Sequence, residues 1–81
     1  MNAKDRPSLP GTLKIGFVGA GRMATALAQG MVNAGLVTGS QLLGSDPIAA
    51  AGEAFAKATG GKAISDNVQL AQQCDVAVLA V

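Results

Sequence analysis

The sequence predicts an α/β fold, a Rossmann-like, partial doubly wound parallel sheet of order βαβαβαβ that is truncated after its fourth strand. Three observations predict it. Short apolar runs at residues 13–18, 41–45, 62–64 and 75–81 alternate with helical stretches, and such alternation implies parallel strands joined by right-handed crossovers. A glycine turn, Gly19-Ala20-Gly21, separates the first run from the first helix, the setting of a phosphate-binding βα turn. The closing DVAVLAV is β-branched and aliphatic without alternation, the pattern of a strand covered on both faces.

Residues 1–12 hold two prolines and the charges of Lys4, Asp5 and Arg6 with almost no apolar anchor, which predicts a mobile leader ahead of a domain over 13–81. LKIGFV is the first strand, and Gly16 within it implies close approach of another backbone. The first helix runs from Arg22 to about Ala34, with Met23, Leu27, Gly30, Met31 and Ala34 forming its packed face and Gly35 its left-handed C-terminal cap. QLLGS is the second strand. Asp46 then caps a second helix that has Pro47 at its first position and runs to about Thr59, where Gly60-Gly61 ends it. KAI makes the third strand, and Asp66 or Ser65 caps a third helix through VQLAQQ. The last strand is expected beside the first, at the open side of a half-sheet, so the chain reads as a fragment of a larger domain.

Composition narrows the function. Eighty-one residues allow one domain, and two Phe with no Trp or Tyr make its core thin. A net charge of +1 without a basic cluster argues against nucleic acid. The lone Cys74 cannot form an internal disulfide, and with no His it is a poor start for a metal site. A reducing, cytoplasmic location fits. No run of eighteen apolar residues is present to span a membrane. Without His the usual general base near neutral pH is missing, so chemistry is expected from a bound cofactor.

Gly19-Ala20-Gly21-Arg22-Met23-Ala24 reads G-x-G-x-x-A. Gly19 permits the turn, Gly21 lets the backbone approach a pyrophosphate, and Ala24 allows close helix-to-strand packing, while the helix N-terminus supplies anion-binding N–H groups. A glycine-rich turn that binds nothing is the plainer alternative. Arg22 opposes the helix dipole at a cost of about 0.3–1 kcal/mol; it either folds over a phosphate or is paired with water. Asp46, at the end of the second strand, can accept bonds from an adenosine ribose and repel a 2′-phosphate, or it can serve as the helix cap. Ser45 can donate to a hydroxyl or a phosphate. Cys74 reads as a small packed hydrophobe, Asp66 as a cap and Asp75 as a charge at the start of the last strand. Met23 and Met31 belong to the core face, with Met23 also near a cofactor.

IGFVGAGRMATALAQGMVNAGLV, followed by the SDP turn, the SDN triplet and DVAVLAV, resembles the amino-terminal segment of pyrroline-5-carboxylate reductases over residues 14–81. The resemblance implies hydride transfer from NADPH or NADH to the C=N bond of 1-pyrroline-5-carboxylate, giving L-proline. It implies a dinucleotide loop at Val18, Gly19, Ala20, Gly21, Arg22 and Met23, an adenosine end at Ser45 and Asp46, a cofactor contact at Asn67, and Ala80 and Val81 beside the nicotinamide. It further implies a helical carboxy-terminal domain for substrate and dimerisation that lies outside these residues, so that the fragment alone is inactive. Arg22 stands where the family commonly has Asn or Gln, and Asp46 where it has Ser, Asn or Arg. Other readings of the same residues are the cofactor domain of a β-hydroxyacid dehydrogenase or F420-dependent NADP reductase, or a non-catalytic dinucleotide-binding module.

Overall fold

In the computed structural model, which describes residues 10–79, the sheet is built from β1 (Ile15–Val18), β2 (Leu42–Ser45), β3 (Lys62–Ile64) and β4 (Val76–Leu79) in the order β3-β2-β1-β4. All three pairings are parallel, with Ile15 opposite Leu42 and Val76, and Leu43 opposite Lys62. Helices α1 (Arg22–Asn33), α2 (Ala49–Thr59) and α3 (Asn67–Gln73) provide the crossovers. The predicted βαβαβαβ order and the place of the last strand beside the first are therefore found. The expected mobile leader falls mostly on residues 1–9, and Ala80 and Val81 close the chain; these positions lie outside the described residues.

Strand alternation divides the core between the two faces of the sheet. Ile15, Phe17 and Leu42 point to the face covered by α1 and α2, where they pack with Ala24, Ala28 and Phe55. The Phe17 and Phe55 rings are fully buried, tilted, with centroids 5.7 Å apart. Gly44 makes room for this pair, because a Cβ there would fall 2.7 Å from the Phe55 ring. Leu43, Ile64 and Leu70 form the core under α3, with Val18 and Cys74 against it. A Cβ on Gly16 would lie 2.5 Å from Leu70 Cδ2 and 3.0 Å from Cys74 Sγ. The close approach inferred at Gly16 is thus made by α3 side chains, not by a backbone.

Four expectations are corrected. The first strand begins at Ile15 rather than Leu13, and Gln41 stands in a one-turn 3-10 helix, Gly39–Gln41, rather than in β2. The buried Gln41 amide is engaged on both sides: its Oε1 accepts from Thr38 N (3.0 Å) in the capping box of that turn, and its Nε2 donates to the carbonyls of Pro10 (2.7 Å) and Leu13 (3.0 Å), which takes the Leu13 carbonyl out of strand pairing. On α1 the buried face is Ala24 and Ala28, while Met23 and Leu27 are 72% and 50% exposed and Gly30 is exposed too. The glycine turn brings α1 so close to β1 that only methyl-sized side chains fit beneath it, which turns the larger residues outward. Met31 does pack against the core. Val76, Ala77 and Leu79 of β4 are exposed, so this strand is not covered on both faces by the described residues. No described helix is long and apolar enough to cross a membrane.

Helix α1 ends as predicted. Gly35, at φ +76°, closes a Schellman motif in which Leu36 N donates to Met31 O (3.1 Å) and Gly35 N to Val32 O (3.0 Å). That stop releases the chain into the connection that leads to β2.

Candidate nucleotide-binding site

Parallel strands carry their ligand sites at the carboxyl ends, in the loops that lead into the helices. Three such loops meet here. After β1, Gly19 adopts φ +90°, a conformation that L side chains avoid, and its N–H donates to Ser45 O at the end of β2 (2.8 Å). Ala20 is buried. Gly21 then serves as the N-cap of α1 in extended conformation (φ −79°, ψ −165°), without a side-chain cap and with no acid in the first helical turn. The first N–H groups of a helix have no intrahelical partner, so the start of α1 is a positive pole.

Gly21 is informative because the protein itself does not require it. Its φ is ordinary, and a Cβ there would meet nothing within 4 Å. The open space lies where a pyrophosphate would approach the backbone, so the residues fit the group that the loop sequence implies. Arg22 is exposed and lines, with Thr25 and Gln29, a groove of about 400 Å³ between α1 and α2.

After β2 come Ser45 and Asp46. Ser45 is buried, and its hydroxyl donates to Asn67 Oδ1 at the start of α3. Two predicted site residues are thereby brought together, and Asn67 keeps its amide N–H groups for another acceptor. Asp46 is half-buried. Its Oδ1 accepts from Ile48 N (2.9 Å) and its Oδ2 from Ala20 N (3.1 Å). The expectation that Asp46 is the N-cap of the second helix with Pro47 at its first position is corrected: Ile48 is the cap and the helix begins at Ala49. One carboxylate oxygen is engaged in an Asx turn and the other by the glycine loop, so neither reaches the amides of α2. A cleft of about 280 Å³ opens beside Asp46 and Pro47 and is lined also by Glu53, Ile64 and Ser65.

After β3, Asp66 rather than Ser65, the other candidate, is the N-cap of α3 and accepts from Val68 N (2.8 Å). Asp75 accepts from Lys14 N (2.8 Å), joining the start of β4 to that of β1. Cys74 is a half-buried free thiol at the C-cap of α3, far along the chain from the glycine loop. Val18 packs against the core under α3, and Met23 is exposed beside the loop. Among the described residues no group of His, Cys, Asp and Glu is arranged to hold a metal ion. Sequence reasoning missed the Asp46–Ala20 bond. Its only trace in the sequence is an acid next to a strand end.

A four-stranded parallel sheet with a G-x-G-x-x-A turn opening onto a free helix N-terminus is the frame of a dinucleotide-binding domain. The family model described as NADP oxidoreductase, coenzyme F420-dependent, matches residues 14–81. The chain belongs to this family. Within it, the chain is homologous to pyrroline-5-carboxylate reductases. It is 37% identical to the pyrroline-5-carboxylate reductase of Methanosarcina acetivorans over 68 residues, covering 84% of this chain and 25% of that protein. The pyrroline-5-carboxylate reductase of Coxiella burnetii superposes with a TM-score of 0.77 at 30% identity, over 86% of this chain and 26% of that one. The pyrroline carboxylate reductase of Plasmodium falciparum, solved with NADP bound, gives 0.69 at 35% identity, over 88% and 24%. The chain spans about a quarter of the length of the curated relatives it matches. It is a Rossmann-fold NAD(P)-binding domain related to pyrroline-5-carboxylate reductases and other NAD(P)-dependent oxidoreductases.

Proposed function

We propose that this chain is the cofactor-binding part of a pyrroline-5-carboxylate reductase, which reduces the C=N bond of 1-pyrroline-5-carboxylate to give L-proline. The observation that carries the reading is Gly21: an unstrained glycine with open space at its missing Cβ, placed at the start of a helix, in a segment homologous to reductases of that name. A reduced nicotinamide, when bound, supplies a hydride to an electrophilic carbon. The chain's own part is to hold and orient the nucleotide. Gly19, Ala20 and Gly21 shape the loop, the N–H groups of Arg22, Met23 and Ala24 face the pyrophosphate, and the Arg22 guanidinium adds a mobile cation over it. Ser45 braces Asn67, and Asp46 with the cleft beside it takes the adenosine end. Val18 ends the strand under the loop, and the family resemblance alone assigns Ala80 and Val81 to the nicotinamide end. No catalytic acid or base is assigned to this chain. The substrate pocket and any homo-oligomer contacts belong to other parts of the protein, and the free thiol of Cys74 suits a reducing, cytoplasmic setting.

The test has two arms. Binding of NADH or NADPH to the chain is measured by nucleotide fluorescence, and the whole protein is assayed for proline formation from pyrroline-5-carboxylate with stoichiometric nucleotide oxidation. Binding with proline formation supports the reading. Binding together with turnover of a different substrate favours another NAD(P)-dependent dehydrogenase, the second reading that the family model also accommodates. A folded chain with no affinity for either nucleotide refutes both.

A further inference from the structure

We infer that Asp46 is a pinned specificity determinant that holds the glycine loop in place and makes the site prefer NADH to NADPH, an inference that rests on the dinucleotide-binding reading above. A free acid at the end of a second strand can avoid a phosphate by rotating away. Asp46 is not free. Its two carboxylate oxygens accept from backbone N–H groups on different loops, Ile48 N at 2.9 Å and Ala20 N at 3.1 Å. Rotation would give up both bonds, and the second of them secures Ala20 between Gly19 and Gly21.

Neither partner is a cation, so the negative charge of Asp46 is solvated by amide dipoles but not cancelled. An ionised carboxylate offers about four acceptor sites, and two are in use. The remaining lone pairs suit a hydroxyl donor such as a ribose 2′-OH. A phosphate on that hydroxyl brings only acceptors and further negative charge. One unit charge about 4 Å from the carboxylate disfavours binding roughly fivefold in water and several hundredfold at the effective dielectric of a protein surface. The opposing cation, Arg22, is exposed and on a flexible stem; over the pyrophosphate it serves NADH and NADPH alike, while Asp46 stays where its backbone partners hold it. Ser45 does not offset the charge, since its buried hydroxyl is donated to Asn67.

The experiment compares dissociation constants of NADH and NADPH for the chain and its Asp46→Asn, Asp46→Ser and Asp46→Glu variants, with amide hydrogen exchange at Ala20 measured without nucleotide. For the unaltered chain NADPH is expected to bind at least about fivefold more weakly than NADH, the lower Coulomb limit. Asp46→Asn, nearly isosteric and uncharged, should bring the ratio to within about twofold, and Asp46→Ser should do the same. Asp46→Glu keeps the charge but shifts the carboxylate by one methylene, so an intermediate ratio and faster exchange at Ala20 are expected. Equal affinities in the unaltered chain, or a ratio that survives Asp46→Asn in a folded protein, overturns the selectivity. Unchanged exchange at Ala20 in both Asp46→Ser and Asp46→Glu, or an Asp46→Glu ratio equal to that of the unaltered chain, overturns the pinning. Failure of the folded, unaltered chain to bind either nucleotide removes the dinucleotide reading itself, and this inference with it.

Discussion

Gly16 and Gly21 lie five positions apart and lack a side chain for different reasons. At Gly16 the space is taken by Leu70 and Cys74; at Gly21 it is open. Gly16→Ala should therefore destabilise the chain by roughly 1–3 kcal/mol through overpacking, read from the midpoint of urea unfolding. Gly21→Ala should cost less than about 1 kcal/mol, the difference between Gly and Ala at an N-cap. Its larger effect should be on nucleotide affinity, by about tenfold or more, if a contact worth about 1.4 kcal/mol is lost. Titration of NADH and NADPH into a variant that melts like the unaltered chain checks it, and undiminished affinity would remove Gly21 from the site.

Helix α1 shows what hydrophobic spacing measures and what it leaves out. Met23, Leu27 and Met31 share a helical stripe, and the stripe gives the period and the length of the helix correctly. Its orientation is set instead by the contact with β1, where only Ala24 and Ala28 fit. Ala28→Leu should accordingly destabilise by about 1–3 kcal/mol. Met23→Ser should change stability by no more than about 0.5 kcal/mol, as for other surface positions. Thermal melts of the two variants check the pair, and the opposite ranking would restore the large-residue stripe as the packed face. Elements bounded by local chemistry were read closely: Asp66 caps α3, Gly35 ends α1, and KAI is β3. Boundaries set by distant partners were not, as at Leu13 and Gln41, where one buried amide serves two carbonyls about 30 residues back.

For the molecule as a whole, the core under α1 and α2 depends on one aromatic pair. Only Phe17 and Phe55 supply large rings, and both are fully buried. Phe55→Ala should cost about 3–5 kcal/mol, a large share of the 5–15 kcal/mol that roughly spans the stability of folded domains. Cooperative melting followed by far-UV circular dichroism is expected to be lost or shifted far down in temperature. A variant that still melts near the unaltered midpoint would show that the second core, around Leu70, carries the fold. The same molecule leaves Met23 and Leu27 on α1 and Val76 and Leu79 on β4 exposed, although the apolar run of β4 has the composition of a covered strand: composition records what a segment can bury, not which surfaces are present to bury it.

The sequence by itself determined the parallel α/β class, the succession of elements, the G-x-G-x-x-A turn and the kinship with pyrroline-5-carboxylate reductases. These depend on periodicity, turn chemistry and motif, which act over a few residues at a time. Only the tertiary structure decided which side of α1 is buried, that Ser45 is committed to Asn67, and that Asp46 holds the glycine loop instead of capping α2. Each of those is a competition between a local partner and one more than twenty positions away, or between a side chain's size and the gap left for it. The distance between β1 and α1 and the meeting of three loops above the sheet settle that competition, and they exist only once the chain has folded.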